Sequence, residues 1–253
     1  MRSAGIAAIA FAFVFGGSLA GFLLRKLVSE QHLNADTKDA MKMVIGLVST
    51  MVALVLGLLI ASAKSSFDAR SGAVDRLSAD LIQLDTTMAR YGAEMRPLRD
   101  LVRQTMAASL ERVSPDGDSK PLHIDNSDRG AGLQQVEHRL YTLAPQNDEQ
   151  RQLRARALAL VWEFQQTRLF VIERSESAIP MPFLVLLISW LTLIFFGFNL
   201  LTSRSIVVVL TMFAGALCVS SAIFIILELD SPYEGVMKIS IAPLRKALAE
   251  IGR

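Results

Sequence analysis

Four stretches of this 253-residue chain, residues 5–24, 43–63, 183–201 and 206–227, contain no acidic, basic or histidine side chain. Each is close to the roughly 20 apolar residues that carry a helix across a hydrocarbon core of about 30 Å. Inside that core every backbone N–H and C=O must find its partner within the protein, as it does along a helix of this length. The 26 basic and 24 acidic residues are therefore confined to the remaining segments, which are strongly polar. That distribution excludes an ordinary soluble enzyme and a fully disordered chain. A net charge of +2 without a dense basic stripe also argues against a nucleic-acid partner.

The N-terminus admits two readings. Met1-Arg2, the apolar run from Gly5 and the small residues around Ser18-Leu19-Ala20 resemble a secretory signal. The run continues through Gly21-Phe22-Leu23-Leu24 to Arg25-Lys26, however. It is thus longer than the ~7–15 residues of a signal core, and a retained membrane helix is the better reading. Gly17 and Gly21 form a small-xxx-small pair suited to close helix packing. A polar connection over residues 25–39 offers Asn34 and Asp36 as caps.

No breaker follows the second span, which contains Gly46, Ser49-Thr50 and Gly57. Beyond Ser65, Phe67, Val74, Leu77, Leu81, Leu84 and Met88 recur at helical spacing with charges between them. This predicts a membrane helix that runs on into water as an amphipathic one. Gly92 would end it, and Pro97 suits the first turn of a helix reaching residue 113. Residues 114–132, with Pro115, Gly117, Pro121, Gly130 and several Asp, read as a mobile loop. A helix over 133–143 follows, and Asn147 with Gln150 has capping-box spacing for a long helix reaching 177. A short amphipathic helix over 241–251 closes the chain.

The expected fold is all-α: four transmembrane helices with a cytoplasmic helical domain. Its divisions are residues 1–63 (spans one and two), 64–179 (helical domain), 180–228 (spans three and four) and 229–253 (tail). Four spans place both termini and the middle segment on one side. Near the span ends that side carries Arg2, Lys64, Arg70, Arg76, Arg168, Arg174, Lys238, Arg245 and Lys246. The other side carries Arg25, Lys26, Lys38, Lys42 and Arg204, so the positive-inside rule points to cytoplasmic termini in a bacterial inner membrane.

Chemistry-bearing patterns are scarce. The lone Cys218 lies in the fourth span, and His32, His123 and His138 are scattered without partners at metal-ligand spacing. No phosphate loop, nucleophile–base arrangement or intramembrane carboxylate pair occurs, so neither enzyme activity nor a cofactor or metal is expected. Charge-free spans also disfavour a proton-coupled pump, whose relay needs such groups. An apolar constriction can gate by dewetting without them. Ser49-Thr50 and Ser220-Ser221 could meet an ion, though such hydroxyls more often bond to their own helix. Asp230 and Glu234 could hold a cation, while Asp230-Ser231-Pro232 reads more simply as a turn after the last span.

Three sets of residues resemble the bestrophin-like domain family of bacterial membrane proteins. The first is Leu56-Gly57-Leu58-Leu59 leading to Ser65-Ser66-Phe67-Asp68-Ala69-Arg70. The second is Leu84-Asp85, Ala89-Arg90-Tyr91-Gly92-Ala93-Glu94 and Arg96-Pro97-Leu98-Arg99. The third is Glu228-Leu229-Asp230-Ser231-Pro232-Tyr233-Glu234-Gly235 with Ile239-Ser240 and Pro243-Leu244-Arg245. The family is named for kinship with bestrophin anion channels, in which the second membrane helix lines a narrow apolar neck and carries a Val-Leu-Gly element. Val55-Leu56-Gly57 is similar, and matching on it puts Thr50, Leu54 and Leu58 at neck-like positions. Leucines stand where those channels have aromatic residues, and the acidic run of a calcium clasp is missing.

The resemblance implies an oligomeric ion channel in the lipid bilayer, by analogy a homopentamer passing an anion. On this reading Thr50, Leu54 and Leu58 line the pore, Gly17, Gly21 and Gly57 serve packing, and Asp230, Pro232, Glu234 and Gly235 form the turn after the last span. The competing reading of Leu54 and Leu58 is plain contact with another helix or with lipid. The alternative function is a non-conducting scaffold or sensor whose cytoplasmic helices bind a partner.

Overall fold

The computed structural model describes residues 2–25, 35–111, 131–173, 181–202, 205–230 and 237–251. Every regular element among them is helical: α1 (Arg2–Arg25), α2 (Ala35–Tyr91), α3 (Arg96–Glu111), α4 (Ala131–Thr142), α5 (Asp148–Glu173), α6 (Met181–Leu201), α7 (Ile206–Asp230) and α8 (Ala242–Glu250). A 3-10 turn, Ala93–Met95, separates α2 from α3. Four helices, α1, α2, α6 and α7, are long and apolar enough to cross a membrane. The expected loop at 114–132 lies outside the described residues up to 130; Ala131 and Gly132 already begin α4.

The chain divides into two compact units: Met1–Phe67 with Ser177–Lys238, and Asp68–Glu176 with Ile239–Arg253. α2 belongs to both, and its 57 residues form one uninterrupted helix, as the absence of a breaker after residue 63 implies. At about 1.5 Å per residue it is nearly three times as long as a bilayer core requires. It begins earlier than the polar connection suggested: Asp36 lies in its first turn, where a carboxylate complements the helix dipole, and Asn34 falls outside the described residues.

In the first unit α1 packs along α6 and α7. Apolar side chains gain little by leaving lipid for one another, so close backbone approach carries such contacts. α1 meets α6 at its glycines. A Cβ added at Gly17 would stand 2.5 Å from Thr192 Cγ2, and one at Gly21 2.5 Å from the Phe196 carbonyl oxygen. Between these positions the Asn199 Nδ2 amide donates a short hydrogen bond to Ser18 Oγ, both side chains being buried. Phe11 and Phe15 of α1 stack with centroids 5.7 Å apart and meet the Phe213 edge of α7 at 5.4 and 5.5 Å. α2 enters through Ile45, whose Cδ1 lies 2.8 Å from the place a Cβ on Gly197 would take.

The second unit is a helical domain around Leu81, Leu84, Met88, Met95, Leu133, Val136, Leu140, Val161 and Phe164. Ala247 and Ile251 join that core, so the end of the segment expected as a separate tail packs within this unit. Gly92 ends α2 with φ of 132°, a conformation other residues resist. Asn147 caps α5: its Oδ1 accepts from the Gln150 N–H at 2.7 Å. Gln150 Oε1 reaches back to the Gln146 N–H at 2.8 Å, one residue before the cap and not to the cap itself. Asp85 and Arg99 form a two-pronged ion pair, both bonds 2.7 Å, which ties α2 to α3 and raises the Arg99 pKa.

Two predictions follow from these contacts. Gly21→Ala forces its methyl onto a backbone carbonyl, and overpacking of this kind costs roughly 1–3 kcal/mol. Gly57→Ala meets open space and should leave stability unchanged in thermal melts of the detergent-solubilised protein. The second prediction concerns Asp80, whose pKa is raised by burial and then by Glu163, with Arg76 opposing. An acid whose pKa is higher folded than unfolded favours the fold while protonated. That contribution is complete below the unfolded pKa and disappears as pH rises through the folded one. Asp80→Asn should therefore raise stability at neutral pH and flatten its decline from acid to neutral in melts across that range.

Candidate functional site

The sequence-predicted positions fall into three separate places. Thr50, Leu54 and Leu58 recur every four residues on α2, which puts them on one helix face with a drift of about 40° per step. The opposite face carries the buried Ile45 and Val52 with half-buried Val48, Val55 and Leu59, which pack into the first unit's core. The Thr50 face meets nothing comparable. Leu54 is 75% and Leu58 71% exposed, and Met43 and Leu47 extend the same stripe. Only 11% of the most apolar window of α2 is buried, against 28% for α1 and 33% for α6.

The Ser49 and Thr50 hydroxyls are spent within the helix. Ser49 Oγ donates to the Ile45 carbonyl and Thr50 Oγ1 to the Leu47 carbonyl, each at 2.7 Å. The stripe thus presents methyl and methylene groups with no titratable atom. It can pack against a helix or lipid or, repeated around an axis, form a constriction that water wets poorly. It cannot perform acid–base or nucleophilic chemistry.

Gly17 and Gly21 lie at the α1–α6 contact, whereas no described atom of the chain comes within 4 Å of a Cβ on Gly57. Gly57 therefore sits on the uncovered side of α2 with Leu54 and Leu58 and serves no packing within the chain. At the end of α7, Asp230 is a buried helical residue, while Pro232, Glu234 and Gly235 lie outside the described residues. Neighbouring Glu228 is buried too, and its Oε1 accepts the Met237 N–H at 3.3 Å. Among the described residues no group of three or more His, Cys, Asp or Glu could hold a metal ion.

Some features escaped the sequence. Ser221 bonds back to the Cys218 carbonyl at 2.7 Å as such hydroxyls do, but Ser220 is buried and its Oγ has no partner among the described residues. The Ser18–Asn199 pair was signalled only by an amide standing alone in an apolar run. Arg70, counted as one more positive charge near a span end, is almost completely buried.

A family model for the bestrophin-like domain matches the chain from residue 12 to residue 244. The chain belongs to the bestrophin-like family. Its fold is also that of a solved structure, the crystal structure of a bacterial bestrophin homolog from Klebsiella pneumoniae carrying a mutation. The TM-score is 0.68, the identity 11%, and the match covers 96% of this chain and 97% of the other. A search of curated proteins finds no match. The likeness thus concerns how this bestrophin-like chain is folded, and the family and the apolar helices together make it a membrane protein.

Proposed function

We propose that this chain is one subunit of a homo-oligomeric membrane channel, conducting anions, with its neck formed by Thr50, Leu54 and Leu58. The observation that carries the reading is the wide uncovered apolar face of α2, where Leu54 and Leu58 stand 75% and 71% exposed. Four helices of one subunit do not enclose a central path, whereas several copies of α2 around an axis would, with rings of threonine and leucine along it. The charge-free spans agree with passive conduction gated by dewetting better than with a coupled pump. Membership of the bestrophin-like family supports the choice of a channel, and kinship with bestrophin anion channels supports the choice of ion and a pentamer. The Lys and Arg balance supports an inner-membrane protein with cytoplasmic termini and helical unit. No enzymatic step enters this reading.

A second reading has its own observation. Trp162 of α5 is 61% exposed and Leu169 lies on the same helix seven residues on, also exposed. A scaffold that docks a partner through the helical unit would use such a surface.

Conductance separates the two. Purified full-length protein in planar bilayers should pass current, with a reversal potential that follows the anion under a salt gradient. Leu54→Ala and Leu58→Ala should each raise single-channel current by widening the neck and lowering its dewetting barrier. Silent bilayers from protein shown to be an intact oligomer would sink the channel and favour the scaffold.

A further inference from the structure

The uncovered face of α2 can be followed from Leu54 back to the start of the helix. Thr50, Leu47 and Met43 carry it through the apolar part, and all are exposed. The first charged side chain in line with Leu54 is Asp36. It precedes Leu54 by 18 residues within one unbroken helix, about five full turns at ~3.6 residues per turn, so both side chains leave α2 in the same direction. Asp36 is exposed, and about 27 Å along the helix axis separates it from Leu54.

The neighbouring charges are disposed differently. Lys38 leaves the helix about 160° away, on the side turned from Leu54. Asp39, about 60° round, is neutralised by Lys42, whose Nζ donates to its Oδ1 at 3.0 Å. No base stands one turn on from Asp36, since Asp39 and Ala40 hold those places. Arg25 of α1 follows Ser18 by seven residues, which puts it on the α1 face that meets α6. Beyond the apolar stretch Lys64 and Asp68 come four residues apart, so opposite charges sit on adjacent turns and their fields cancel at a distance. The helix dipole favours a carboxylate in the first turn on any side of the helix. It does not ask for one in line with Leu54.

The inference rests on the channel reading: copies of α2 gathered around the Leu54 face bring their Asp36 side chains together as well. Rings of acidic side chains concentrate cations and hold anions off. We propose that Asp36 sets the charge at one mouth of the path, where a ring of its carboxylates makes anion current entering from that mouth smaller than anion current leaving by it. The ring acts through the local ion concentration, so its reach is about a Debye length, ~10 Å at 0.1 M salt and ~3 Å at 1 M.

Single channels of the full-length protein in planar bilayers, with equal potassium chloride on both sides, test the assignment. At 0.1 M salt, currents at equal and opposite voltages should differ about threefold, the effect of a mouth potential of roughly one kT. At 1 M salt they should become nearly equal. Asp36→Asn should equalise them at 0.1 M, and Asp36→Glu, which keeps the charge, should preserve the difference. Lys38→Gln, which changes a charge on the far side of the same turn, should preserve it too.

Equal currents from the unmodified protein at 0.1 M salt would overturn the proposal, and this comparison needs no variant to fold. So would a difference that survives Asp36→Asn, or one that Lys38→Gln removes. In each of these outcomes the channel conducts, and the reading of the Leu54 neck stands without this addition. Silent bilayers from an intact oligomer would sink that reading, and the role of Asp36 would fall with it.

Discussion

Lipid is as good a solvent for leucine as another leucine is, and the membrane unit has to cohere without the force that folds a protein in water. What remains is contact so close that dispersion between backbones outweighs what lipid tails offer, together with hydrogen bonds that lipid cannot make. α1 and α6 use both. Gly17 and Gly21 bring the helices together where any larger residue would strike Thr192 or the Phe196 carbonyl, and Ser18 meets Asn199 between them. The aromatic cluster of Phe11, Phe15 and Phe213 then sets α7 on the other side of α1. α2 is held more lightly, through Ile45 and Val52. The looseness of that attachment leaves its Leu54 face uncovered.

The same helix obeys different rules in its second half. Beyond Phe67 its apolar residues narrow to one stripe, and burial of Leu77, Leu81, Leu84 and Met88 against α3, α4 and α5 becomes the organising force. Charges can be used here because water remains near. Asp85 and Arg99 are only partly buried, with side chains 12% and 17% exposed, so their desolvation is incomplete and both prongs of the pair are made. One uninterrupted helix serves two environments because helical hydrogen bonds are internal and indifferent to the solvent outside. Only the side chains have to change.

Legibility in the sequence followed the same division. The spans were readable because hydrocarbon demands an internally bonded backbone and a minimum length, and a helix over an unbroken apolar run meets both. The run-on of α2 was readable because no Pro and only one Gly, Gly72, falls in residues 58–91, where apolar residues keep helical spacing. The caps at Gly92 and Asn147 were legible because each depends on a few neighbouring residues. Pairings across the fold were not. Nothing local says that Asp85 will meet Arg99 fourteen residues on, or that Asn199 will find Ser18. Gly17 and Gly57 look alike in an apolar run, yet one is pressed against Thr192 and the other faces open space. A small residue states that close approach is allowed and leaves unstated whether a neighbour arrives. For the same reason Thr50, Leu54 and Leu58 could be placed on one face of a helix, while what that face meets is a property of the assembly.

Exposure therefore carries unequal weight along the chain. Leu54 and Leu58 stand out from a helix that lipid could cover at no cost, so their exposure permits a neighbour without requiring one. The α5 surface is different. Ala155, Ala159, Trp162, Gln166 and Leu169 follow one another at helical spacing on its exposed side, in a unit rich in charged residues. An indole and a leucine in contact with water carry a cost, and a partner that covered both would relieve it. That surface is the one a partner-binding scaffold would use, and it is remote in sequence from the apolar stripe that gave the channel reading. Only a gathering of several α2 helices would turn Leu54 and Leu58 from residues that face lipid into residues that face one another.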